Sequence, residues 1–228
     1  MFLDFTTMPG LRVLFDLDGT LLDTAPDLHG TLNYCLASAG RDTVTLESVK
    51  HMVGQGARVL LERGLIATGG LPSSAAFEEL VDLFFAHYEH HLSDHSVPYP
   101  GMIDCLNRLR DMNCQMGVCT NKPIGFARRI IEDFSLTPYF PVMTGGDSFD
   151  VKKPDPGHIH KTLALFASGT GKAVMIGDTH NDIDAANAAG IGSVAVSFGY
   201  SEGPAHQLGA QHTIDHFDEL IPILEKLA

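Results

Sequence analysis

The sequence predicts an α/β protein in which a parallel sheet carries helices on both faces and is interrupted once by an all-helical segment. A short apolar run, residues 12–15, ends abruptly in two acids, as a buried parallel strand can at its carboxyl end. Residues 23–91 show one helical pattern after another and no strand pattern. From residue 101 onward strand and helix patterns alternate, which is typical of a parallel sheet with helices on both faces.

The composition allows one large domain, or a core with a small insert, and a substantial apolar interior. The chain has 228 residues, 44% of them hydrophobic, and a mean hydropathy of +0.07. No apolar run approaches the roughly 18 residues of a membrane span, and the first residues lack the pattern of a secretory signal. The net charge of −13 argues against nucleic acid or an anionic membrane as a partner. The four cysteines form no Cys-x-x-Cys pair, which favours free thiols in a reducing, cytoplasmic compartment.

The end of the first strand carries the strongest chemical signal. Asp16 and Asp18 follow the apolar run, and Gly19 then permits a tight turn. Open α/β sheets bind ligands at the carboxyl ends of their strands. Two acids there repel each other unless they share a cation or a proton, and sparse oxygen ligands suit Mg²⁺. A strand end with an ordinary Asx-Gly turn explains the same residues, so this motif does not decide alone.

The helical segment begins directly after this turn. Thr24 or Asp23 can cap its first helix, which ends at Gly40. Further helices are predicted over residues 45–53, 59–65 and 73–91. Histidines at 87, 91 and 95 would share one face of the last helix, where a zinc site is conceivable and a polar outer face is the simpler interpretation.

The alternating part begins after a hinge-like segment, residues 97–101. Its helices are predicted over residues 101–111, 123–134, 156–166, 181–189 and 216–227. Its strands are predicted over residues 115–119, 142–144, 173–176, 193–196 and 212–214.

Three of these strand ends also carry polar clusters. Thr120 and Asn121 follow one strand, where a hydroxyl and the N–H groups of a helix start can bind an anion, although a plain helix N-cap fits equally well. Lys153, fixed by the proline after it, can present a cation, although a solvated loop charge is the common alternative. Asp178 and Asp182 follow a buried strand and supply the carboxylates that a cation at the first strand end still needs.

Taken together, the clusters form the ordered pattern Asp-x-Asp-x-Thr, Thr, Lys and Gly-Asp-x-x-x-Asp. In this order the chain resembles the haloacid dehalogenase-like hydrolase superfamily over about residues 10–200. Residues 22–28 and 53–57 look similar to its phosphoglycolate phosphatase branch. The resemblance implies a Rossmann-like, doubly wound core over residues 1–22 and 92–228. It also implies an inserted C1-type helical cap over residues 23–91.

The resemblance further implies a phosphatase that works through an aspartyl phosphate. Asp16 is then the nucleophile, and Asp18 is the general acid that later serves as base. Thr120 and the Asn121 main chain hold the phosphoryl group, and Lys153 pairs with both that group and the nucleophile.

A magnesium ion is the implied cofactor. Its expected ligands are Asp16, the main-chain carbonyl of Asp18, and Asp178. Asp182 either supports this set or contacts the metal directly. Lys152 competes with Lys153 for the role of the conserved cation of the motif, but the family lysine directly precedes a proline, as Lys153 does.

The residues expected to contact the rest of the substrate are less specific. Gly19 is expected to bring N–H groups to the phosphate. The bend Gly54, Gln55 and Gly56 is expected to read the organic part, and Arg58 to meet a carboxylate, although a surface arginine explains Arg58 equally well. The expected partner is a small phosphorylated metabolite, 2-phosphoglycolate by preference, and the protein is expected to be a monomer or a homodimer.

Other activities within the superfamily fit less well. A sugar phosphomutase carries a histidine ten residues after the second aspartate, where this chain has Leu28, with His29 one place late. A dehalogenase lacks the second aspartate, and a phosphonate hydrolase needs a cap lysine, for which Lys50 has no matching context. The intact polar set argues against a non-catalytic binding protein. A nucleotide, pyrophosphate or a sugar phosphate stays open as the substrate.

Overall fold

The computed structural model describes residues 7–167, 171–201 and 203–227, and a six-stranded parallel sheet lies at its centre. The strands are β1 (Arg12–Phe15), β2 (Leu22–Asp23), β3 (Val97–Pro98), β4 (Gln115–Cys119), β5 (Val142–Thr144), β6 (Ala173–Gly177), β7 (Gly192–Val196) and β8 (His212–Ile214). The sheet order is β5-β4-β1-β6-β7-β8, and all neighbours are parallel. The chain order reverses around β1, which is where doubly wound sheets bind their ligands.

The helices are α1 (Ala25–Ser38), α2 (Leu46–Lys50), α3 (Ala57–Ala67), α4 (Ser74–His90), α5 (Met102–Asp111), α6 (Ile124–Asp133), α7 (Pro156–Leu163), α8 (His180–Ala188) and α9 (Leu220–Leu227). The predicted alternation of strands and helices is confirmed, with element ends displaced by a few residues. The last helix begins later than predicted because a 3-10 turn, Phe217–Glu219, precedes it. In the part of the chain that the structure describes, no helix is both long and apolar enough to cross a membrane.

Strand β1 is buried on both sides, as its apolar sequence requires. It pairs with β4 on one edge and with β6 on the other. Val13 and Phe15 pack into the larger apolar cluster on one face of the sheet, and Leu14 packs into the smaller cluster on the other. The central position of β1 therefore places the residues that follow it at the middle of the carboxyl edge of the sheet.

Helices α1 to α4, which we call the helical insert, pack on one another beside this edge. The apolar stripe of α1 includes Leu28 and Leu32, and it is buried together with Val81, Phe84 and Tyr88 of α4. The insert thus has an interior of its own and also joins the larger apolar cluster of the core.

The two connections between insert and core are hydrogen-bonded to each other, which the sequence did not predict. β2 and β3 form an antiparallel ribbon in which Leu22 lies opposite Pro98 and Asp23 lies opposite Val97. Sequence analysis identified only hinge-like segments here, because a strand of two residues is too short to show an alternating pattern. All four cysteines are free thiols, as predicted.

Candidate active site

The acids of β1 and β6 and the lysine after β5 form a buried cluster that we call the floor. Its members are Asp16, Lys153, Asp178 and Asp182. The Lys153 Nζ lies 3.0 Å from Asp16 Oδ1 and 2.6 Å from Asp182 Oδ1, and it also donates to the Cys119 carbonyl. Parallel strands bring these residues together because their carboxyl ends share one edge of the sheet.

The two acids after β6 are held in different ways. Asp178 accepts hydrogen bonds from the Thr20 hydroxyl at 3.1 Å and from the Tyr200 N–H at 2.7 Å. Asp182 uses Oδ1 for Lys153, and its Oδ2 accepts the N–H and the hydroxyl of Thr179 at 3.0 and 2.8 Å. Both oxygens of Asp182 are therefore engaged by protein groups, and one of them caps α8.

The floor carries more negative than positive charge. Burial raises the pKa of the Asp16 carboxyl to about 6 despite the attraction of Lys153. Burial, together with repulsion from Asp182 and Asp16, also raises the pKa of Asp178 well above its usual range. Burial lowers the pKa of the Lys153 ammonium, but its acidic neighbours more than offset this, so the pKa is raised and the group is charged.

A divalent cation fits this arrangement. Asp16, Asp178 and Asp182 each offer one carboxylate oxygen, and these oxygens lie within 4.8 Å of one another. Asp16 Oδ1 is buried and accepts no hydrogen bond among the described residues, because its 3.0 Å contact with Lys153 is an ion pair without hydrogen-bond geometry. Crowded carboxylates with one unbonded oxygen are a donor set that a hard cation satisfies.

Asp18 lies beside the floor and is paired with a second buried lysine, Lys122. The Lys122 Nζ lies 3.0 Å from Asp18 Oδ1 and 2.6 Å from the Tyr88 hydroxyl of α4. The Thr24 hydroxyl donates to the same Asp18 oxygen at 2.6 Å. Burial lowers the pKa of Lys122, but Asp18 and Tyr88 outweigh this and raise it. Sequence reasoning assigned Lys122 no role, because a lysine in a polar loop gives no sign that it will be buried.

Gly19 has a steric role that the sequence did not reveal. Its own N–H donates to the Leu22 carbonyl at 2.9 Å within the turn. Its φ is +84°, and a Cβ at this position would lie 2.2 Å from Asp178 Oδ2. The position requires glycine because a side chain would displace the Asp178 carboxylate.

Thr120 and Asn121 follow β4 at the edge of the cavity, as predicted. The Thr120 side chain is buried, and its hydroxyl accepts the N–H of Lys122 at 3.2 Å. The Asn121 side chain donates to the carbonyl of Lys153 at 2.9 Å and to the carbonyl of Gly54 at 3.0 Å. Asn121 therefore ties the insert to the core, a contact that the sequence does not reveal.

Only part of the bend at residues 54–56 lies at the cavity, and the arginine after it does not. Gly54 and Gly56 line the cavity, whereas Gln55 lines a separate polar groove and its carbonyl accepts a bond from Lys152 at 3.0 Å. Arg58 does not reach the cavity. It is about half exposed and forms a bidentate pair with Glu78 at 2.6 and 2.8 Å. The structure thus gives Arg58 the surface position that the sequence left open.

The cavity between floor and insert has a volume of about 490 Å³, including the space at its mouth. Asp16, Asp18, Thr120 and Lys122 provide polar groups on the core side. The opposite side, which we call the roof, is mostly apolar and consists of Leu28, Val53, Ala57, Leu60, Phe85 and Tyr88. Such a cavity suits a small ligand with one strongly charged end.

Tyr200, which sequence analysis did not single out, joins the floor to the first of the two connections between core and insert. Its hydroxyl accepts the N–H groups of Thr24 and Ala25 at 2.7 and 2.9 Å and donates to Asp23 Oδ1 at 2.8 Å. Its own N–H holds Asp178. One buried residue thus contacts both the acid cluster and the start of the insert.

The histidine face of α4 is a packing feature. His87 stacks between Tyr34 and His91 at ring distances of 4.2 and 4.3 Å, and His91 pairs with Asp94. Within the described ranges, the one group of acids, histidines or cysteines close enough to hold a metal is the floor.

Comparison with known proteins agrees with this geometry. Residues 13–196 match the family model described as haloacid dehalogenase-like hydrolase. The chain is 40% identical to a phosphoglycolate phosphatase of Agrobacterium fabrum, over 94% of this chain and 92% of that one. It is also 40% identical to a phosphoglycolate phosphatase of Caulobacter vibrioides, over 91% and 88%.

A solved structure described as a predicted phosphoglycolate phosphatase from Haemophilus somnus superposes with a TM-score of 0.89 at 28% identity, covering 96% of this chain and 99% of that one. The floor, the sheet order around β1 and these relatives point to one conclusion. The chain belongs to the haloacid dehalogenase-like hydrolase family and is a phosphoglycolate phosphatase-like phosphoric monoester hydrolase.

Proposed function

We propose that this hydrolase is Mg²⁺-dependent and releases phosphate from a small organic monoester, 2-phosphoglycolate by preference, through an aspartyl phosphate. The observation that carries the proposal is Asp16, a buried carboxylate at the floor of a cavity, with one oxygen unbonded and a lysine 3.0 Å away. The curated relatives named for phosphoglycolate support the choice of substrate.

In the first step Asp16 attacks phosphorus while the bond from phosphorus to the leaving oxygen breaks. Asp18 gives its proton to that oxygen, and the Thr24 hydroxyl and Lys122 hold Asp18 in position. In the second step Asp18 takes a proton from water as the water attacks phosphorus. The acyl phosphate bond to Asp16 then breaks, and the carboxylate is restored.

Two core residues hold the phosphoryl oxygens in this scheme. The Thr120 hydroxyl accepts a bond from the Lys122 N–H, so its own proton is available to a phosphoryl oxygen. The Lys153 ammonium is fixed by Asp182 and by the Cys119 carbonyl, and it lies next to Asp16. Because both groups are in place before the substrate arrives, little rearrangement is needed in the transition state.

The ligands proposed for the metal are Asp16, Asp178 and the main-chain carbonyl of Asp18. When bound, Mg²⁺ would neutralise the repulsion between a carboxylate nucleophile and a phosphate dianion. Asp182 is proposed to position Lys153 and α8, because its Oδ1 pairs with the Lys153 ammonium and its Oδ2 accepts two bonds from Thr179. Each oxygen of Asp178 accepts a single bond from a neutral donor, which leaves it more capacity for a metal.

The helical insert is proposed to act as a cap, over residues 23–91, that closes on the core to exclude water. Three core side chains hold two successive carbonyls of the insert. Asn121 and Asn181 donate to the Gly54 carbonyl at 3.0 and 3.2 Å, and Lys152 donates to the Gln55 carbonyl. These contacts describe a closed arrangement over the cavity.

The roof argues for a compact organic group. A sugar would bury several hydroxyls against Leu60, Phe85 and their apolar neighbours, where they would lack partners. The mutase alternative loses further support because Leu28 lines the cavity, while His29 lies within bonding distance of the Val44 carbonyl and of Asn33. The free thiols are in keeping with a cytoplasmic protein that acts on a small phosphorylated metabolite.

The test is phosphate release from 2-phosphoglycolate, hydroxyethyl phosphate, pyrophosphate, a nucleotide and glucose 1-phosphate, with Mg²⁺ and with chelator. We expect the highest kcat/KM for 2-phosphoglycolate, and activity that depends on Mg²⁺. Asp16→Asn should lose at least about 10,000-fold in kcat, because it removes the nucleophile.

Asp184→Asn is the matched control, because Asp184 lies on α8 two residues from Asp182 and is exposed. It should keep the wild-type rate. Turnover by Asp16→Asn at the wild-type rate would contradict the aspartyl phosphate, and equal rates on all esters would contradict the substrate.

A further inference from the structure

The floor accounts for the phosphate end of the proposed substrate, but it leaves the other end unassigned. 2-Phosphoglycolate carries a carboxylate, and the net charge of the chain is −13. A second anion entering an acidic protein requires a local cation. Among the described residues that line the cavity, Lys122 is the one cation, because Lys153 lies below Asp16 and Arg58 is paired at the surface.

The distances between Lys122 and Asp18 indicate where the substrate carboxylate would lie relative to Lys122. The proposed acid, Asp18, has to reach the oxygen that bridges phosphorus and carbon. In 2-phosphoglycolate the carboxylate carbon is only two bonds from this oxygen. A group that touches Asp18 from the cavity side is therefore next to the carboxylate, and the Lys122 Nζ lies 3.0 and 3.3 Å from the two Asp18 oxygens.

One of the three bonds of the Lys122 ammonium is long and can be exchanged. Its three N–H donors face Asp18 Oδ1 at 3.0 Å, the Tyr88 hydroxyl at 2.6 Å and Asp18 Oδ2 at 3.3 Å. The Tyr88 hydroxyl accepts from Lys122, so its own proton is free for another acceptor. A substrate carboxylate at this point of the cavity could therefore accept the Tyr88 O–H and take the place of Asp18 Oδ2 on Lys122.

Burial makes this pair of donors selective. Lys122 is 5% exposed and Tyr88 is 2% exposed, and Leu28, Phe85 and Phe126 complete the surroundings. A charged hydrogen bond is stronger in such a place than in water, and a neutral group that leaves the donors unbonded is penalised.

We propose that Lys122 and the Tyr88 hydroxyl bind the carboxylate of the substrate and so select phosphate esters that carry an acid next to the ester carbon. This inference rests on the proposed function, and it assigns specificity to one core residue and one insert residue in contact at 2.6 Å. Asp18 is the counterion of Lys122 in the free enzyme. In the complex the substrate carboxylate takes over that role, and Asp18 carries the proton that it gives to the leaving oxygen.

The test compares 2-phosphoglycolate with hydroxyethyl phosphate, in which a CH₂OH group replaces the carboxylate. The measured quantity is the ratio of the two kcat/KM values, because general damage to catalysis cancels in the ratio. Lys122→Met should lower this ratio by about 10- to 100-fold, with most of the change in KM for 2-phosphoglycolate. Lys122→Arg, which keeps the charge, should recover part of the ratio.

Arg58→Met is the control, because it removes a cation outside the cavity, and its ratio should stay within about twofold of wild type. Equal losses on both esters in Lys122→Met would overturn the inference, since Lys122 would then act only through Asp18. If Lys122→Met does not fold, Tyr88→Phe removes a single oxygen and should lower the ratio by at least about threefold. An unchanged ratio in Tyr88→Phe would then overturn the inference.

The two proposals fail in distinguishable ways. If wild-type enzyme hydrolyses another ester better than 2-phosphoglycolate, the proposed substrate is wrong. The ratio is then measured on two forms of that better ester, one with the carboxylate and one without it. If no ester gains from a carboxylate in wild-type enzyme, the assignment of Lys122 is wrong even where phosphate release is fast.

Discussion

The floor and the roof of the cavity are built in opposite ways. Every charged group of the floor has partners from the core. Lys153 contacts two acids and a carbonyl, and Asp182 accepts three bonds. The roof offers mainly carbon surface from the insert, and its polar contribution from a side chain is the Tyr88 hydroxyl. The floor is fixed by many directional bonds, whereas the roof is held by packing, which is less directional.

The difference matches the two tasks of the proposed mechanism. A phosphoryl transfer tolerates little displacement of its charged groups, and the bonds within the floor limit such displacement. In the proposals above, the organic group of the substrate meets the roof and the pair of Lys122 and Tyr88. Substitutions in the roof are therefore expected to change the preference for substrates while the floor keeps its geometry.

The largest expected effect comes from removing one acid of the floor. Asp178→Asn should lower kcat by about 1,000-fold, because a buried carboxylate proposed to hold the metal is lost. Mg²⁺ should raise the Tm of wild-type protein, since a ligand that binds the folded state stabilises it, and it should not raise the Tm of Asp178→Asn. Calorimetry with and without Mg²⁺ measures this, with Asp184→Asn behaving as wild type. An equal Mg²⁺ effect in Asp178→Asn would show that the metal lies elsewhere.

A second prediction compares a histidine beneath the floor with one on the insert. Burial lowers the pKa of His158 to about 4, and its Nδ1 has no hydrogen-bond partner among the described residues. In the unfolded chain His158 binds a proton near pH 6.5, whereas in the folded protein it binds one only near pH 4. Stability should therefore fall as the pH drops through this window, by about 3 kcal/mol from this group.

Urea unfolding at pH 7 and pH 4.5 measures the effect. His158→Gln should flatten the pH dependence of the unfolding free energy, because the titrating group is gone. His87→Gln should flatten it less, because His87 is only partly buried on the insert, although burial lowers its pKa as well. If the two variants were indistinguishable from wild type, another group would govern acid unfolding.

The smallest expected effect concerns the residue that links the two regions. Tyr200→Phe leaves the Thr24 N–H without its acceptor and the Ala25 N–H with only a longer bond to Asp23 Oδ1, at 3.3 Å, but it keeps the main-chain bond to Asp178. We expect a loss of about 1–2 kcal/mol in stability and about 10-fold in kcat, because Thr24 also holds Asp18. Tyr139→Phe, whose hydroxyl bonds to Asn107 away from the cavity, is the control for kcat. A normal kcat in Tyr200→Phe would mean that the contacts of Tyr200 with Thr24 do not influence Asp18.

Much of the site was predictable because its residues directly follow strands, and the strands determine their positions. Once strands were identified before Asp16, Thr120 and Asp178, a parallel sheet had to bring these residues to one edge. Neither the sheet order nor the distances within the site followed from the sequence.

The roles that were missed depend on contacts between distant parts of the chain. Lys122 meets Asp18 across 104 positions, and Tyr200 meets Thr24 across 176. Nothing local to Lys122 or Tyr200 indicates such a partner. The same holds for Gly19, whose local turn was predicted correctly but whose steric requirement comes from Asp178.

The antiparallel ribbon of β2 and β3 has a consequence for how such molecules diversify. Because Leu22 pairs with Pro98 and Asp23 with Val97, the insert leaves and rejoins the core at a single point. A segment whose two ends already touch can be exchanged for another of any length without stretching the sheet beneath it. We therefore expect that a chimaera joined at these four residues would keep the parallel sheet, provided that the new insert also covers the apolar cluster that the present insert shares with the core.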